Sequence, residues 1–190
     1  MADKEENITI KEYTRSLGGW MEQMQLSADL KATVRDAQVV LLPAGYIDCP
    51  EAFAHDALDF LHYCQQAGTL KAEICCTDEN FTQLELCSFK VNIGRILALS
   101  TVSGTIFWNL VSSYIYDKCK VYMEQTTTIE IPEQPEYMNG PECSFSVIIT
   151  DATGKNIEVS YDGPASKIDK VGETIIKLTQ PEVPSKDSLN

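Results

Sequence analysis

His55, Asp59 and His62 are the residues whose types and spacing first suggest chemistry. They stand at i, i+4 and i+7, so a helix over 51–67 carries them on one face, with Glu51 and Gln66 beside them. Two imidazoles and a carboxylate suit a divalent metal such as zinc or iron. The same face lies opposite Phe53, Ala57, Leu61 and Cys64, which makes it the polar side that any surface helix presents to water. Three ligands in a line on one straight helix also surround an ion poorly. A metal site is therefore not expected from these residues alone. They include both histidines of the chain, so any histidine acid–base chemistry must use them.

The second candidate is the loop over 43–49, PAGYIDC. It follows an apolar run and precedes Pro50, a residue suited to a helix's first turn. In open α/β sheets, ligands gather at the carboxyl ends of strands. Gly45 allows close backbone approach, Tyr46 offers a ring to stack on, and Asp48 offers a carboxylate for a hydroxyl or metal. Cys49 would sit where a helix N-terminus favours thiolate. The competing reading is a plain strand-to-helix turn with Asp48 as cap, and the glycine spacing of a phosphate loop is absent. A Cys49–His55 nucleophile pair is poorly placed, because His55 falls on the solvent side of the expected helix. No Walker, dinucleotide, nucleophile-elbow or zinc-protease motif occurs, and no cofactor is expected.

A third candidate is the proline-rich stretch over 132–142, which lifts Tyr137 and Met138 between prolines and acids. A stiffened loop with an aromatic and a methionine at its tip suits a protein contact.

The elements that must position these residues follow from periodicity. Residues 38–42 (QVVLL) form a continuous apolar run, the pattern of a strand covered on both faces. A helix over 51–67, stopped by Gly68, and a strand over 70–76 complete a β-α-β unit, which favours parallel pairing. Further strands are expected over 126–131, 143–150 and 156–161. The last two form a hairpin with Cys143, Phe145, Val147 and Ile149 on one apolar face. A helix over 165–178 closes the fold. The N-terminal 36 residues suggest a short strand over 7–10, helical turns over 11–17, and a helix over 26–35 capped by Ser27. The expected fold class is α/β: a mixed sheet with a β-α-β N-terminal half, a long central apolar helix, and a C-terminal strand–hairpin–helix unit. The chain divides into 1–120 and 121–179, with 180–190 as a disordered tail.

The long helix is expected over 91–120, about 45 Å in length. Within it, residues 96–116 carry no charge. Three placements compete: a buried core helix, a membrane span, or a subunit interface. Ala98, Thr101, Thr105 and Ser112, with Gly94, line a stripe of small residues that permits close helix approach. The Ser and Thr side chains, Asn109 near the middle and Trp108 in mid-span argue against lipid. A membrane location through 96–116 is thus not favoured.

One resemblance is architectural. A long apolar helix ending in an aromatic-and-basic edge is followed by a strand and by a hairpin turning on Asp-Ala-Thr-Gly-Lys155. Gly163-Pro164-Ala165 and a closing helix complete the order. This arrangement is similar to small accessory components of bacterial conflict, or antiviral defence, systems. The resemblance implies an adaptor or regulatory part rather than a catalyst, and it assigns no functional residue.

Composition bounds the rest. With 190 residues, 44% hydrophobic and 23% charged, the chain can bury a sizeable core without staples. Its net charge of -13 repels phosphate backbones, so nucleic acid is not an expected partner. The 7 cysteines are odd in number and lack C-x-x-C spacing, and the N-terminus is polar and acidic. A reducing, cytoplasmic setting with buried thiols is expected. The leading expectation is a non-catalytic module that self-associates or binds a protein partner. A ligand-binding or enzymatic α/β domain using 43–49 is the alternative, and a membrane-associated effector is the third reading.

Overall fold

The computed structural model describes residues 7–84, 90–99, 104–126, 141–151 and 153–180. Six strands form one mixed sheet, in the order β1-β6-β5-β4-β2-β3. They are β1 (Asn7–Glu12), β2 (Val39–Leu42), β3 (Ala72–Ile74), β4 (Lys90–Ala98), β5 (Glu142–Thr150) and β6 (Asn156–Pro164). The helices are α1 (Leu17–Gln23), α2 (Ala28–Arg35), α3 (Ala57–Ala67), α4 (Gly104–Thr126) and α5 (Asp169–Thr179). The α/β class, the parallel β2-α3-β3 unit and the β5–β6 hairpin are as the sequence predicts. Residues on both sides of the expected division at 120 enter the same sheet.

The largest correction is β4. Residues 90–98 are not the first turns of a long helix. They form a central strand, antiparallel to β2 and parallel to β5. Their β-branched Val91, Ile93 and Ile96 suit a strand, and burial alternates from Lys90 to Ile93, whereas Ile96, Leu97 and Ala98 are buried on both faces and carry no period that separates strand from helix. Gly94, at φ +80°, sits where the register slips between Asn92 and Gly94. A Cβ there would lie 2.9 Å from that of Ala54. The expected small-residue stripe therefore divides. Ala98 is buried in β4, Thr105 is exposed in the first turn of α4, Ser112 is half-buried in its middle, and Thr101 lies outside the described residues. Among the described residues no helix is long and apolar enough to cross a membrane.

Smaller corrections follow the same logic. The helix expected from 51 begins at Ala57, because Phe53 pairs with Gln83 as a short parallel bridge. Of the turns expected over 11–17, Lys11 and Glu12 end β1, 13–16 form a loop, and only Leu17 is helical, at the start of α1, which runs on through Gly18 and Gly19. Ser27 caps α2 through Leu30 N, as its position predicts. The strand expected over 126–131 lies outside the described residues save Thr126, which ends α4.

One face of the sheet is apolar and is covered over β2, β4, β5 and β6, while Ile10 of the edge strand β1, beside Val159, is 50% exposed. Leu41, Ile96, Val147 and Val159 stand in register across four strands, all 1% exposed or less. Above them Tyr114 of α4 meets Phe60 of α3 edge-on at 5.1 Å, and Trp108 lies 6.1 Å from Phe145 of β5. Burying such side chains contributes about 1.5–3 kcal/mol each. α5 locks onto α4 because Gly172 leaves room for the Trp108 indole: a Cβ there would sit 2.0 Å from Nε1. Gly172→Ala is expected to destabilise the fold by about 1–3 kcal/mol through overpacking. A lowered urea midpoint with an unchanged slope would show this, whereas an unchanged midpoint would mean that the indole has another place to go.

Candidate functional site

The opposite face of the sheet is of two kinds. Val40, Leu42, Leu97 and Ile148 are buried there, and the Trp20 ring of α1 reaches to 5.9 Å from the Arg95 guanidinium. Toward β1 the same face turns polar. Arg95, Ser146, Ser160 and Thr9 stand in one register row, and Glu158 with Lys11 in the next. Ser146 and Ser160 share a hydrogen bond of 2.8 Å between hydroxyls. The alternation that makes Cys143, Phe145 and Val147 core residues sends Ser144 and Ser146 to this side.

A shallow cleft of about 130 Å3 opens where the loop after β2 meets the bulge of β4 and the start of β5. Tyr46, Asn92, Arg95, Ser144 and Ser146 line it, with Ala44, Gly94 and Phe145. Asn92 donates its amide to the Tyr46 hydroxyl (3.2 Å) and accepts from Gly94 N (3.2 Å). Burial pushes the Tyr46 phenol above its ordinary value, against the Asn92 bond, so it stays a neutral hydroxyl. Arg95 donates from Nε to Glu158 Oε1 (3.0 Å) and from Nη1 to Pro43 O (3.0 Å). Gly45, at φ +78°, passes so close that a Cβ would lie 3.2 Å from both Nη atoms. The backbone approach that Gly45 allows is therefore made by an arginine of the same chain.

Glu158 anchors this network. It is 2% exposed and is bound by Arg95 and by Lys11 Nζ at 2.9 Å. Burial by itself would raise its carboxyl; the Lys11 hydrogen bond and the Arg95 charge outweigh that and hold it below the ordinary value.

The shared helix face considered for His55, Asp59 and His62 does not assemble. His55 precedes α3 instead of riding on it, and its Nε2 lies 2.9 Å from Asp56 Oδ2. The expectation of a solvent-side His55 is thereby corrected, since its side chain is only 15% exposed. Asp56, 2% exposed, also accepts from Asn92 N at 2.7 Å, so it ties the start of α3 to β4. Asp59 is exposed and pairs with Lys118, and His62 is exposed on α3. Among the described residues no group of three His, Cys, Asp or Glu could hold a metal ion. Of the loop over 43–49, Tyr46 reaches the cleft and Gly45 abuts its arginine. Asp48 is exposed and Cys49 half-buried, and neither lines the cleft.

The buried thiols are structural. Burial pushes Cys64 and Cys75 up to about 12, and Cys76 and Cys119 up to about 11, so they stay protonated at neutral pH. A larger cavity of about 350 Å3 lies where β4 and β5 end and α4 begins, lined in part by Ala98 and Thr105. Asp151, its one ionisable side chain, is committed to its own turn through Thr153 N and Lys155 N. Tyr137 and Met138 lie outside the described residues.

No protein-family model matches the chain, and neither a curated protein nor a solved structure does. The reading of the site therefore rests on its own geometry.

Glu158→Gln leaves the mostly buried Arg95 without its counter-charge and is expected to cost about 3 kcal/mol at neutral pH. Because the folded carboxyl is held low, its contribution is fully present above the unfolded value, near pH 4.5, and is lost as pH falls through the lowered folded value. Urea midpoints of the two proteins should therefore differ at pH 7 and draw together as the pH is lowered below 4.5. A constant gap would show that the ion pair is not the cause.

Proposed function

We propose that the chain is a non-catalytic interaction module that pairs with a second copy of itself through the outer face of α4. The carrying observation is where exposed apolar side chains gather. Of the seven large ones among the described residues, four are on α4: Ile106, Tyr116, Val121 and Met123. Ile106, Asn109, Ser113, Tyr116, Lys120 and Met123 recur at alternating steps of three and four, all exposed, so they form one stripe. Two such helices laid antiparallel about a two-fold axis set Ile106 against Met123 of the second copy. The same axis sets Asn109 against Lys120, and Ser113 against Tyr116. A two-fold interface requires this kind of self-complementarity.

Ile106, Tyr116 and Met123 are 48%, 44% and 53% exposed, so covering each contributes about 1 kcal/mol, or about 6 kcal/mol per symmetric pair. That lies near the low end of the association penalty. The dimer should accordingly be weak and concentration-dependent. An adaptor or regulatory part of this sort is what the resemblance to accessory components of bacterial defence systems implies.

Sedimentation equilibrium over a wide micromolar range tests the reading. Self-association that Ile106→Asp and Met123→Asp each weaken tenfold or more, with thermal stability unchanged, is the expected result. A monomer at every concentration would sink it.

A further inference from the structure

The geometry points to the cleft at the β4 bulge as a binding site for a small oxyanion, the carboxylate or phosphate group of a small metabolite. Three independent features carry this. The first is charge. In a chain of net charge -13, Arg95 is the one charged side chain among the described residues that line the cleft, and its counter-ion Glu158, outside the lining, is also bound by Lys11. The two nearby acids are each met by a lysine: Asp162, in register with Ser144, pairs with Lys90 at 2.7 Å, and Asp56, which accepts from Asn92 N, lies 3.8 Å from Lys118.

The second is preorganisation. Arg95 is held by two hydrogen bonds, from Nε and Nη1, while Nη2 makes none among the described residues. A guanidinium fixed on one edge presents its remaining N–H groups without further loss of side-chain freedom, which suits a planar or tetrahedral oxyanion. Gly45 keeps the covering loop free of a side chain at this point.

The third is the company the arginine keeps. Ser144 lines the cleft, and its hydroxyl makes no hydrogen bond among the described residues. Ser146 and Asn92 stand beside it with their own hydroxyl and amide. The position is mid-sheet, on the part of the face where Asn92, Ser144 and Asp162 form one polar row and Arg95, Ser146 and Ser160 the next. The volume of about 130 Å3 equals roughly four waters of bulk liquid, room for one oxyanion group and little more. A larger molecule would lay only its charged end in the cleft, with the Tyr46 ring at the rim.

The test uses the full chain and follows backbone amide shifts of Asn92, Gly94 and Ser144 during titration. Inorganic phosphate and succinate are the probes, with sodium chloride at matched ionic strength as the control. Saturable shifts with either probe, absent with chloride, are expected. Saturation by phosphate alone assigns a phosphorylated ligand, and saturation by succinate alone assigns a carboxylic acid. Ser144→Asp places a like charge at the cleft on a partly exposed position, so the fold should survive. It is expected to weaken binding at least tenfold, with the urea midpoint lowered only slightly by the like charge of Asp162 opposite, while Ile106→Asp on α4 leaves binding alone. The inference is overturned by shifts that neither probe saturates, by chloride reproducing them, or by Ser144→Asp binding as the parent does.

Discussion

Backbone pairing of β4 on both of its edges is the constraint on which the rest of the structure depends. β2 and β3 form one parallel pair, and β5, β6 and β1 form an antiparallel run. Only β4 joins them, antiparallel on one side and parallel on the other. Central placement leaves its backbone donors and acceptors no water, so the pairing must be nearly complete. The single slip, between Asn92 and Gly94, is the place where the ladder is relaxed. It is also where Asp56 reaches in to take the Asn92 amide, and where the cleft opens. A bulge that re-aims side chains beside a site is a recurrent device of sheets.

The two faces of this sheet solve different problems. The helix-covered face is stabilised by burial, with aromatic contacts linking Phe60, Tyr114, Trp108, Phe145 and Tyr161 from layer to layer. The other face buries a carboxylate, which a protein tolerates only with close counter-charges and hydrogen bonds. Glu158 has both, and the same arginine that satisfies it closes under the 43–49 loop and faces the cleft. Fold stability and the chemistry of the cleft are thus coupled through one guanidinium. The outer face of α4 stands apart from this network, so pairing through α4 and ligand capture at the cleft are separable properties.

Much of this was legible in the amino-acid sequence where one period dominates. The apolar run Val39–Leu42, the alternation from Cys143 to Ile149 and the Ser27 cap each state their structure locally, and each is found. Even the polar side of the hairpin was available, since Ser144 and Ser146 alternate with core residues. Its partners were not. Lys11, Arg95 and Glu158 come from three strands, and nothing in their local spacing announces that they meet.

The uncharged stretch over 96–116 marks the boundary between the two kinds of knowledge. Its composition alone established that it must be buried or paired, because apolar side chains in such density cannot all face water. It could not say that the first residues belong to a strand and the later ones to a helix. The exposed stripe of α4 within it, Ile106, Asn109, Ser113 and Tyr116, carries no charge and mixes apolar with polar residues, so no plainly polar face marks the period of 3.6. The choice fell to tertiary structure, which had edges of β2 and β5 to satisfy. His55 repeats the lesson in miniature. Its spacing from Asp59 and His62 is a sequence fact, but a buried Asp56 and the Phe53 bridge start the helix two residues later, and the shared face is lost.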